Sequence, residues 1–332
     1  QTVLFRSPGA QSQDILGAWS WQGKKEEAIS LVAGAQKLTT NLLVAQEPFD
    51  YFEPTAAAIE EALTLASQAD KVVVALGETD WMSGEAASRS DIRLPEKQLA
   101  VVAQIIEKNP NVVVTVYSGR PLDLQGIDVA KGIVQAWQPG TEGGNALAEI
   151  LWGQYNPSGR LSMSFPETVG QVPIFYNVDN TGRPYESAPE EKYVSKYLDV
   201  SNYAKYPFGF GLSYSHFSYQ PIQLSALTFT KEQPVTVSVL VRNNSPIAGE
   251  ETVQFYVRDL VGQVVRPIKE LKDFQKVWLE PKEEKEVQFL LSEDMVRYVH
   301  SDNQVTSDAG EFIVMIGGNS RDVQTATVTL NE

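Results

Sequence analysis

Three short apolar runs rich in β-branched residues set the strongest limit on what this chain can fold into. They read KVVVALG, VVVTVYSG and GIVQAW, at residues 71–77, 112–119 and 132–137. Continuously apolar runs of this length are typical of parallel strands that are buried on both faces of a sheet. Helical patterns lie between and beside them, and this alternation predicts an α/β domain with a mostly parallel sheet flanked by helices.

The predicted helices cover residues 55–69, 96–108 and 145–152. Apolar residues recur at helical spacing in each, which predicts one buried stripe per helix. We expect the stripes at Ile59, Leu63 and Ala66 in the first helix, at Leu99, Val102, Ala103 and Ile106 in the second, and at Leu147, Ile150 and Leu151 in the third.

The pattern changes after about residue 215, where short runs rich in Val, Phe and Thr follow one another between Pro, Gly, Asn and Asp clusters. Alternation of apolar and polar residues in several of them is typical of an antiparallel β-sandwich of about 100 residues. The predicted strands cover residues 235–241, 252–257, 286–291, 312–316 and 325–330.

The chain therefore divides into three parts: an α/β domain over residues 1–166, a loop-rich connector over 167–219 and a β-sandwich over 220–332. The connector has little periodicity. We expect it to pack across the domain interface, since aromatic side chains are costly to leave in water. Its tyrosines include Tyr176, Tyr185, Tyr193, Tyr197, Tyr203 and Tyr206.

Composition excludes several classes of function. The chain has 42 acidic and 27 basic residues, so a nucleic acid or an anionic membrane surface would repel it. With no cysteine and two histidines, neither a thiol nucleophile nor a Cys- or multi-His metal site is expected, and no cofactor motif is present. No apolar run has the length of a membrane span, and the first residues carry no signal-peptide pattern.

Loops that follow parallel strands carry the candidate chemistry, because ligands bind beyond the carboxyl ends of such strands. These loops cover residues 78–91, 118–123 and 138–144, and we expect them to open on one edge of the sheet. The first holds Trp81 and a set of carboxylates, which suit proton transfer beside a flat sugar face. The carboxylates are Glu78, Asp80, Glu85 and Asp91, and the alternative for Glu78 and Asp91 is pairing with Arg89, Arg93 or Arg120.

Two other patterns are weaker. The TEGG segment at residues 141–144 could hold an anion at a helix start, but Glu142 in that position favours a tight turn. The GLSYSH segment at 211–216 lacks the second glycine of a nucleophile elbow, which disfavours a triad with Ser213 and His216. Neither a dinucleotide-binding pattern nor a Walker pattern occurs.

The loop GETDWMSGEAASRSDIRLP at residues 77–95 resembles the acid/base loop of glycoside hydrolase family 3. The resemblance continues through VYSGRPLDL at 116–124 and WQPGTEGGNALAEILWGQYNPSGRLSMSFP at 137–166. It extends to GAWSWQG at 17–23 and YPFGFGLSYSHFSY at 206–219. These segments occur in the family's order, the tail resembles its fibronectin type III-like domain, and the whole is most similar to the bacterial periplasmic β-glucosidases of the family.

This resemblance implies a retaining β-glycosidase that hydrolyses terminal β-linked sugars, with a periplasmic or secreted location. Glu85 occupies the position of the general acid/base, and Trp81 and Ser83 are candidate neighbours on the leaving-group side. The family's nucleophile is an Asp on an N-terminal (β/α)8 barrel of roughly 250 residues, for which this chain leaves no room. We therefore expect the chain alone to be inactive, with the barrel supplied by an upstream domain or a companion chain.

Two readings from other classes stay open at this point. The chain could be a non-catalytic carbohydrate-binding or scaffolding module, which the absence of any barrel with an Asp nucleophile would favour. A nucleotide-binding α/β protein is the weaker alternative, because phosphate-cradling motifs are missing and the net charge is −15. The sequence does not specify a ligand for the sandwich, which we expect to serve as a stabilising domain.

Overall fold

The computed structural model describes residues 1–5, 14–50 and 52–332. The chain forms two compact units. The first comprises residues 1–155 and 166–172, and the second comprises residues 156–165 and 173–332. None of the helices in the described ranges is both long enough and apolar enough to cross a lipid bilayer.

A five-stranded sheet forms the centre of the first unit. Its strands are β1 (Thr2–Phe5), β2 (Leu42–Val44), β3 (Lys71–Gly77), β4 (Val112–Tyr117) and β5 (Gly132–Trp137). Their order is β2-β1-β3-β4-β5, and each neighbouring pair runs parallel. The predicted α/β class is confirmed, and the three apolar runs of the sequence are the last three strands in this order.

Helices flank this sheet. They are α1 (Leu31–Leu38), α2 (Ala56–Gln68), α3 (Glu96–Lys108) and α4 (Gly143–Leu151). The first two begin at side-chain caps, since the hydroxyls of Ser30 and Thr55 accept hydrogen bonds from main-chain N–H groups three residues on. Short 3-10 helices cover Lys25–Glu27, Asp80–Met82, Val169–Gln171, Tyr185–Ser187 and Glu293–Val296.

The buried faces of two helices differ from the predicted stripes. In α2 the buried residues are Ala58, Ala62 and Ala66, and in α3 they are Gln98, Val101, Val102 and Ile105. The predictions of Ala66 and Val102 are confirmed, whereas the other predicted positions are half-buried or exposed. These are Ile59, Leu63, Leu99, Ala103 and Ile106. Small side chains let α2 approach the sheet closely, while Gln98 is buried because both ends of its amide bond main-chain groups of Gly77.

The second unit is an antiparallel β-sandwich. Its strands are β6 (Phe217–Tyr219), β7 (Gln223–Leu224), β8 (Thr228–Phe229), β9 (Val235–Asn243), β10 (Gly249–Asp259), β11 (Glu270–Leu279), β12 (Glu284–Leu291), β13 (Tyr298–Val299), β14 (Val305–Thr306), β15 (Gly310–Gly317) and β16 (Val323–Leu330). One sheet has the order β11-β10-β15-β16-β8 and the other β12-β9-β6, with β7 also pairing β9. All five predicted strands are present.

The core of the second unit consists of Val, Leu, Ile and Phe side chains from both sheets. Phe255 of β10 and Phe289 of β12 stack across it, with ring centroids 5.1 Å apart. Glu251 is buried at the edge of this core. Its carboxylate accepts hydrogen bonds from Arg160 at 2.6 Å and from the Tyr219 hydroxyl at 2.7 Å.

The connector tyrosines differ in how far they are buried. Tyr176 stacks on Phe208 with ring centroids 4.3 Å apart, and Tyr206 packs edge-on against Phe165, both within the second unit. Other members are exposed, so the expectation that these aromatics avoid water is wrong for Tyr193, Tyr197 and Tyr203. The predicted domain boundaries and the predicted packing of the connector stay predictions.

Candidate active site

The three loops that follow β3, β4 and β5 meet at one edge of the parallel sheet. The main-chain N–H of Gly119 donates to Glu78 Oε2 at 3.3 Å, which joins the first two loops. The side chain of Gln138, in the third loop, donates to Ser83 Oγ at 3.4 Å. The expectation that these loops open on the same edge is confirmed.

Glu78 is the buried carboxylate of this edge, with 1% of its side chain exposed. Arg89 donates to Glu78 Oε1 at 2.7 Å, and Arg120 Nε lies 3.1 Å from the same oxygen. The Arg120 N–H does not point along that line, so this second contact is an ion pair without a hydrogen bond. The pairing alternative raised for Glu78 is therefore what the structure contains.

Asp80 is held by a second ion pair. Its carboxylate lies 2.6 Å from Lys25 Nζ, and its main-chain N–H donates to Asp14 Oδ1 at 3.3 Å. Burial raises the pKa of the neighbouring Asp14 carboxyl. Burial also acts to raise the pKa of Asp80, but hydrogen bonds with Lys25 and Asp14 outweigh it, and that pKa lies below its ordinary value. Asp80 is thus an ionised, paired group.

Asp91 is the third paired carboxylate of the loop. The Arg93 guanidinium donates to Asp91 Oδ1 from Nε at 2.9 Å and to Oδ2 from Nη2 at 2.5 Å. Hydrogen bonds from the Arg93 side chain, followed by the one from its main-chain N–H, lower the pKa of Asp91 to about 2. This carboxylate is exposed and stays ionised at neutral pH, so it is a poor proton donor.

Glu85 has different surroundings. It lies at the tip of a two-residue turn whose ends, Gly84 and Ala87, form a β-bridge, and its side chain is exposed. The next residue, Ala86, has φ 56°, in the left-handed region that side chains other than Gly rarely adopt. Among the described residues, no hydrogen bond or ion pair engages the Glu85 carboxylate. The Glu85 carboxylate is therefore accessible to a molecule that binds at this edge of the sheet.

Strained backbone marks the same edge. Within the described part of the first unit, the non-glycine residues with positive φ are Trp21, Ala86 and Trp137. Trp137 ends β5, and Trp21 belongs to the 17–23 segment, whose Gly17 lies against the Gln138 side chain. Residues held in sparsely populated backbone regions cluster at functional sites. Positive φ is not readable from residue type at these positions, so sequence reasoning missed this feature.

Exposed indole rings lie in the loops of this edge. Trp81 is 89% exposed and Trp21 is 94% exposed, and Trp19 is also exposed. The 17–23 segment reaches the turn of Glu85, since Ala18 Cβ lies 3.4 Å from where a methyl group on Gly84 would sit. Sequence reasoning singled out Trp81 but not Trp19 or Trp21, although GAWSWQG was the available signal.

Ser83 is half-buried and points into the neighbouring loop. A methyl group on Gly119 would lie 2.3 Å from Ser83 Oγ and 2.8 Å from Ser83 Cβ, so a larger residue at position 119 would require Ser83 to shift. The hydroxyl also accepts the hydrogen bond from Gln138. The role of Ser83 in substrate binding stays a prediction, and the geometry gives it a place in the loop–loop contact.

The weaker candidates have structural partners instead. Gly144 lies so close to α1 that a methyl group there would sit 2.1 Å from the Ser30 carbonyl oxygen, so this glycine serves helix packing. The Ser213 hydroxyl donates to Asn156 Oδ1 at 2.8 Å. Over the described ranges, no group of three or more His, Asp or Glu side chains is arranged to hold a metal ion.

Residues 1–214 match the glycosyl hydrolase family 3 C-terminal domain. The chain belongs to glycoside hydrolase family 3. Residues 251–320 match the fibronectin type III-like domain, which agrees with the sandwich of the second unit. The resemblance read from the loop and strand segments is confirmed, together with the predicted succession of an α/β domain and a fibronectin type III-like sandwich.

Relatives of this family 3 chain carry glycosidase names. A periplasmic beta-glucosidase of Salmonella typhimurium is 36% identical over 99% of this chain and 46% of its own length. A beta-xylosidase of Formosa agariphila is 34% identical over 81% of this chain and 37% of its own length. A crystal structure of beta-glucosidase from Listeria innocua in complex with isofagomine superposes with a TM-score of 0.94 at 36% identity, covering 100% of this chain and 46% of that one. The chain thus spans about half the length of such relatives.

Proposed function

We propose that this chain is the acid/base half of a retaining β-glycosidase, and that Glu85 is its general acid/base. One observation carries the assignment. Of the four carboxylates between residues 78 and 91, Glu78, Asp80 and Asp91 are each paired with a cation, whereas the Glu85 carboxylate has no such partner within the described residues. A group that exchanges protons with a substrate must be free to reach it.

The proposed reaction has two steps. In the first, Glu85 gives its proton to the glycosidic oxygen as the C1–O bond breaks, and an Asp carboxylate on the other face forms a bond to C1. In the second, the ionised Glu85 takes a proton from water as the water oxygen attacks C1 and the Asp is released. The two carboxyl groups must lie about 5 to 5.5 Å apart for this retaining chemistry.

The Asp nucleophile is proposed to come from a barrel domain outside this chain, either upstream or on a companion chain. A single carboxylate without its partner cannot stabilise the oxocarbenium-like transition state, so the chain alone is proposed to be inactive. Terminal β-glucosides are the proposed substrates because several relatives are named beta-glucosidases. The name of the Salmonella typhimurium relative supports a periplasmic location as a further proposal.

Trp81 and Ser83 are proposed to contact the leaving group. Trp81 supports this because its exposed ring lies four residues before Glu85 and offers a flat apolar face to a sugar. Ser83 supports it through its place two residues before Glu85, beside Gly119. Both roles concern the leaving-group side, because Glu85 must face the glycosidic oxygen.

The test uses what we call the complemented enzyme: this chain joined to the part of the Listeria innocua beta-glucosidase that it does not match. We expect the chain alone to leave aryl β-glucosides intact and the complemented enzyme to hydrolyse them. In the complemented enzyme, Glu85→Ala should lower kcat/KM for phenyl β-glucoside by about 10²- to 10⁴-fold, since that leaving group needs a proton. The loss for 2,4-dinitrophenyl β-glucoside should stay below about tenfold, because its leaving group departs as an anion.

Asp91→Asn is the matched control, because it removes an exposed carboxylate of the same loop. It should leave the preference between the two substrates as in the parent. Normal turnover by the chain alone would contradict the divided active site. Equal losses on both substrates for Glu85→Ala would move the acid/base role to another residue, and an inactive complemented enzyme would favour a non-catalytic module.

A further inference from the structure

We propose that Arg120 is a positioning residue for Glu85, acting through the main chain of the acid/base loop and not on the substrate. The proposal rests on the function proposed above for Glu85. Arg120 lies in the loop after β4, while Glu85 lies in the loop after β3. The guanidinium therefore reaches across from a neighbouring strand end.

The base of the Arg120 side chain is fixed. The main-chain carbonyl oxygen of Arg120 accepts a hydrogen bond from Ser118 Oγ at 2.7 Å, and the Ser118 hydroxyl accepts one from Gln135 Nε2 at 2.9 Å. Gln135 belongs to β5 and Ser118 follows β4, so two strands of the sheet hold this part of the loop. An arginine anchored in this way can hold a neighbouring loop in a fixed position relative to the sheet.

The guanidinium contacts the acid/base loop at two points. Its Nη2 donates to the carbonyl oxygen of Met82, and its Nε lies 3.1 Å from Glu78 Oε1. The Arg120 side chain is 19% exposed, so water competes little for these contacts. Met82 stands three residues before Glu85, and its carbonyl is thus fixed just ahead of the turn.

Glu78 links this contact to the other side of the turn. The same Oε1 that faces Arg120 accepts from Arg89 Nη1 at 2.7 Å, and Arg89 Nη2 donates to the carbonyl oxygen of Arg93 at 3.0 Å. One buried carboxylate therefore holds two guanidinium groups, one fixing the main chain before Glu85 and one fixing it after. The turn from Gly84 to Ala87 lies between the two fixed points.

This geometry predicts that lysine cannot replace arginine at position 120. A lysine at position 120 would keep a positive charge near Glu78, but its ammonium is a point charge and cannot span Glu78 and the Met82 carbonyl as the planar guanidinium does. If Arg120 only neutralised Glu78, lysine would be sufficient. If it positions Glu85, lysine should loosen the turn, and a misplacement of about 1 Å can cost about 10²-fold in rate.

The test is Arg120→Lys in the complemented enzyme. We expect kcat/KM for phenyl β-glucoside to fall about 10- to 100-fold and kcat/KM for 2,4-dinitrophenyl β-glucoside to fall less than about threefold. The control is Arg242→Lys, which changes an exposed arginine paired with Glu284 at 3.1 Å in the second unit. This control should match the parent on both substrates.

A double-mutant cycle then asks whether Arg120 acts through Glu85. In the Glu85→Ala background, Arg120→Lys should cause no further loss on phenyl β-glucoside, because two residues that serve one proton transfer are not additive. The variant Arg120→Met leaves Glu78 paired with Arg89 at 2.7 Å, so the buried carboxylate keeps a cationic partner, and it tests the same point if the lysine variant does not fold. It should show the same substrate preference as Arg120→Lys.

Full activity of Arg120→Lys on phenyl β-glucoside would overturn the proposal, as would an equal loss on both substrates or a full further loss in the Glu85→Ala background. A different result would show that the proposed function is wrong. If Glu85→Ala itself shows no preference between the two substrates, Glu85 is not the acid/base, whatever Arg120 does.

Discussion

Glu78 and Glu85 are the same residue type in the same loop, and their surroundings separate them. Glu78 is buried against two guanidinium groups and a main-chain N–H, so it organises the loop. Glu85 is exposed on a turn with a strained neighbour at Ala86. The buried, paired carboxylate of Glu78 suits a structural role. The exposed, unpaired carboxylate of Glu85 suits proton exchange with a substrate.

Gln98 holds the end of β3, just before the acid/base loop, and its substitution tests how much this contact stabilises the fold. It is fully buried in α3, and its amide bonds the Gly77 N–H at 3.3 Å and the Gly77 carbonyl oxygen at 3.2 Å. Gln98→Leu should lower the free energy of unfolding by about 1–3 kcal/mol, because it leaves these main-chain groups unsatisfied. Urea unfolding measures this.

Gln104→Leu is the matched control on the same helix. Gln104 is exposed, and within the described residues its side chain bonds the Ala100 carbonyl oxygen one turn earlier, at 3.2 Å. We expect it to stay within about 0.5 kcal/mol of the parent. Equal midpoints for the two leucine variants would show that the Gly77 contacts do not stabilise the strand end.

Glu251 predicts a pH dependence in the second unit. Burial raises its pKa above the ordinary value of 4.5, against the opposing effect of Arg160. A raised pKa in the folded state stabilises the fold below the ordinary pKa, and this stabilisation is lost as pH rises through the folded-state pKa. The unfolding free energy of the parent minus that of Glu251→Gln should therefore fall as pH rises above about 4.5.

Glu250, the adjacent residue on β10, supplies a control of opposite sign. A hydrogen bond from Lys276, whose Nζ lies 2.6 Å from Glu250 Oε2, lowers the pKa of Glu250 below 4.5, so its stabilisation is lost as pH falls. The unfolding free energy of the parent minus that of Glu250→Gln should rise with pH up to about 4.5. Urea unfolding at several pH values measures both differences, and slopes of the same sign would contradict this account.

The sequence reached Glu85 through its motif and offered arginine pairing as an alternative for Glu78. It did not distinguish which of the four loop carboxylates is unpaired, because that depends on Lys25 and Arg120, which are distant along the chain. Gln98 was also missed. Helical periodicity treats a polar residue as exposed, and only the contact with the main chain of Gly77 explains why this one is buried.

Among the elements, α1 and α4 pack through two glycines. A methyl group on Gly34 would lie 2.2 Å from the Gly144 carbonyl oxygen, and one on Gly144 would lie 2.1 Å from that of Ser30. These distances are too short for any side chain, so the helices approach each other with main chain against main chain. Gly144 of the TEGG segment is therefore required for helix packing at the start of α4.

Gly144→Ala should separate α1 from α4. Because the clash is with the main chain, it cannot be relieved by a side-chain rotation, and we expect a loss of about 1–3 kcal/mol in the free energy of unfolding. Gly170→Ala is the control, since the nearest described atom to a methyl group there is Thr168 Oγ1, at the ordinary contact distance of 3.6 Å. Thermal unfolding checks both, and a parent-like Gly144→Ala would mean that α1 and α4 do not pack as closely as described.

The elements that the sequence predicted are those with a strong local pattern. Strands β3 and β4 were found because both of their faces are apolar and buried. The expectation of burial was wrong for β5, which lies at the edge of the sheet and is half-buried along its length. Strand β11 was missed because it lies at the edge of its sheet and carries exposed Asp273 and Lys276 among its apolar residues. The stripe of α2 was partly misplaced because Ala58 and Ala62, and not the larger Ile59 and Leu63, are buried. The stripe of α3 was partly misplaced because the polar Gln98, and not Leu99, is buried.

At the scale of the whole molecule, the proposed function makes the chain one half of a catalytic arrangement. It matches 46% of the Salmonella typhimurium relative and 46% of the Listeria innocua structure, and it contains the proposed acid/base without the proposed nucleophile. The fold followed from alternation and strand patterns alone. The function required the resemblance, because no spacing or composition distinguishes a glycosidase loop from another acidic loop at a sheet edge.

The central claim is that Glu85 is the acid/base and not the nucleophile, and the product of azide rescue tests it most directly. In the complemented enzyme carrying Glu85→Ala, azide should attack the sugar bound to the Asp nucleophile without needing a general base, and 2,4-dinitrophenyl β-glucoside should give β-glucosyl azide. Proton NMR of the product reads the anomeric configuration. An α-glucosyl azide would mean that Glu85 is the nucleophile, and the absence of any rescue would mean that it takes no part in proton transfer.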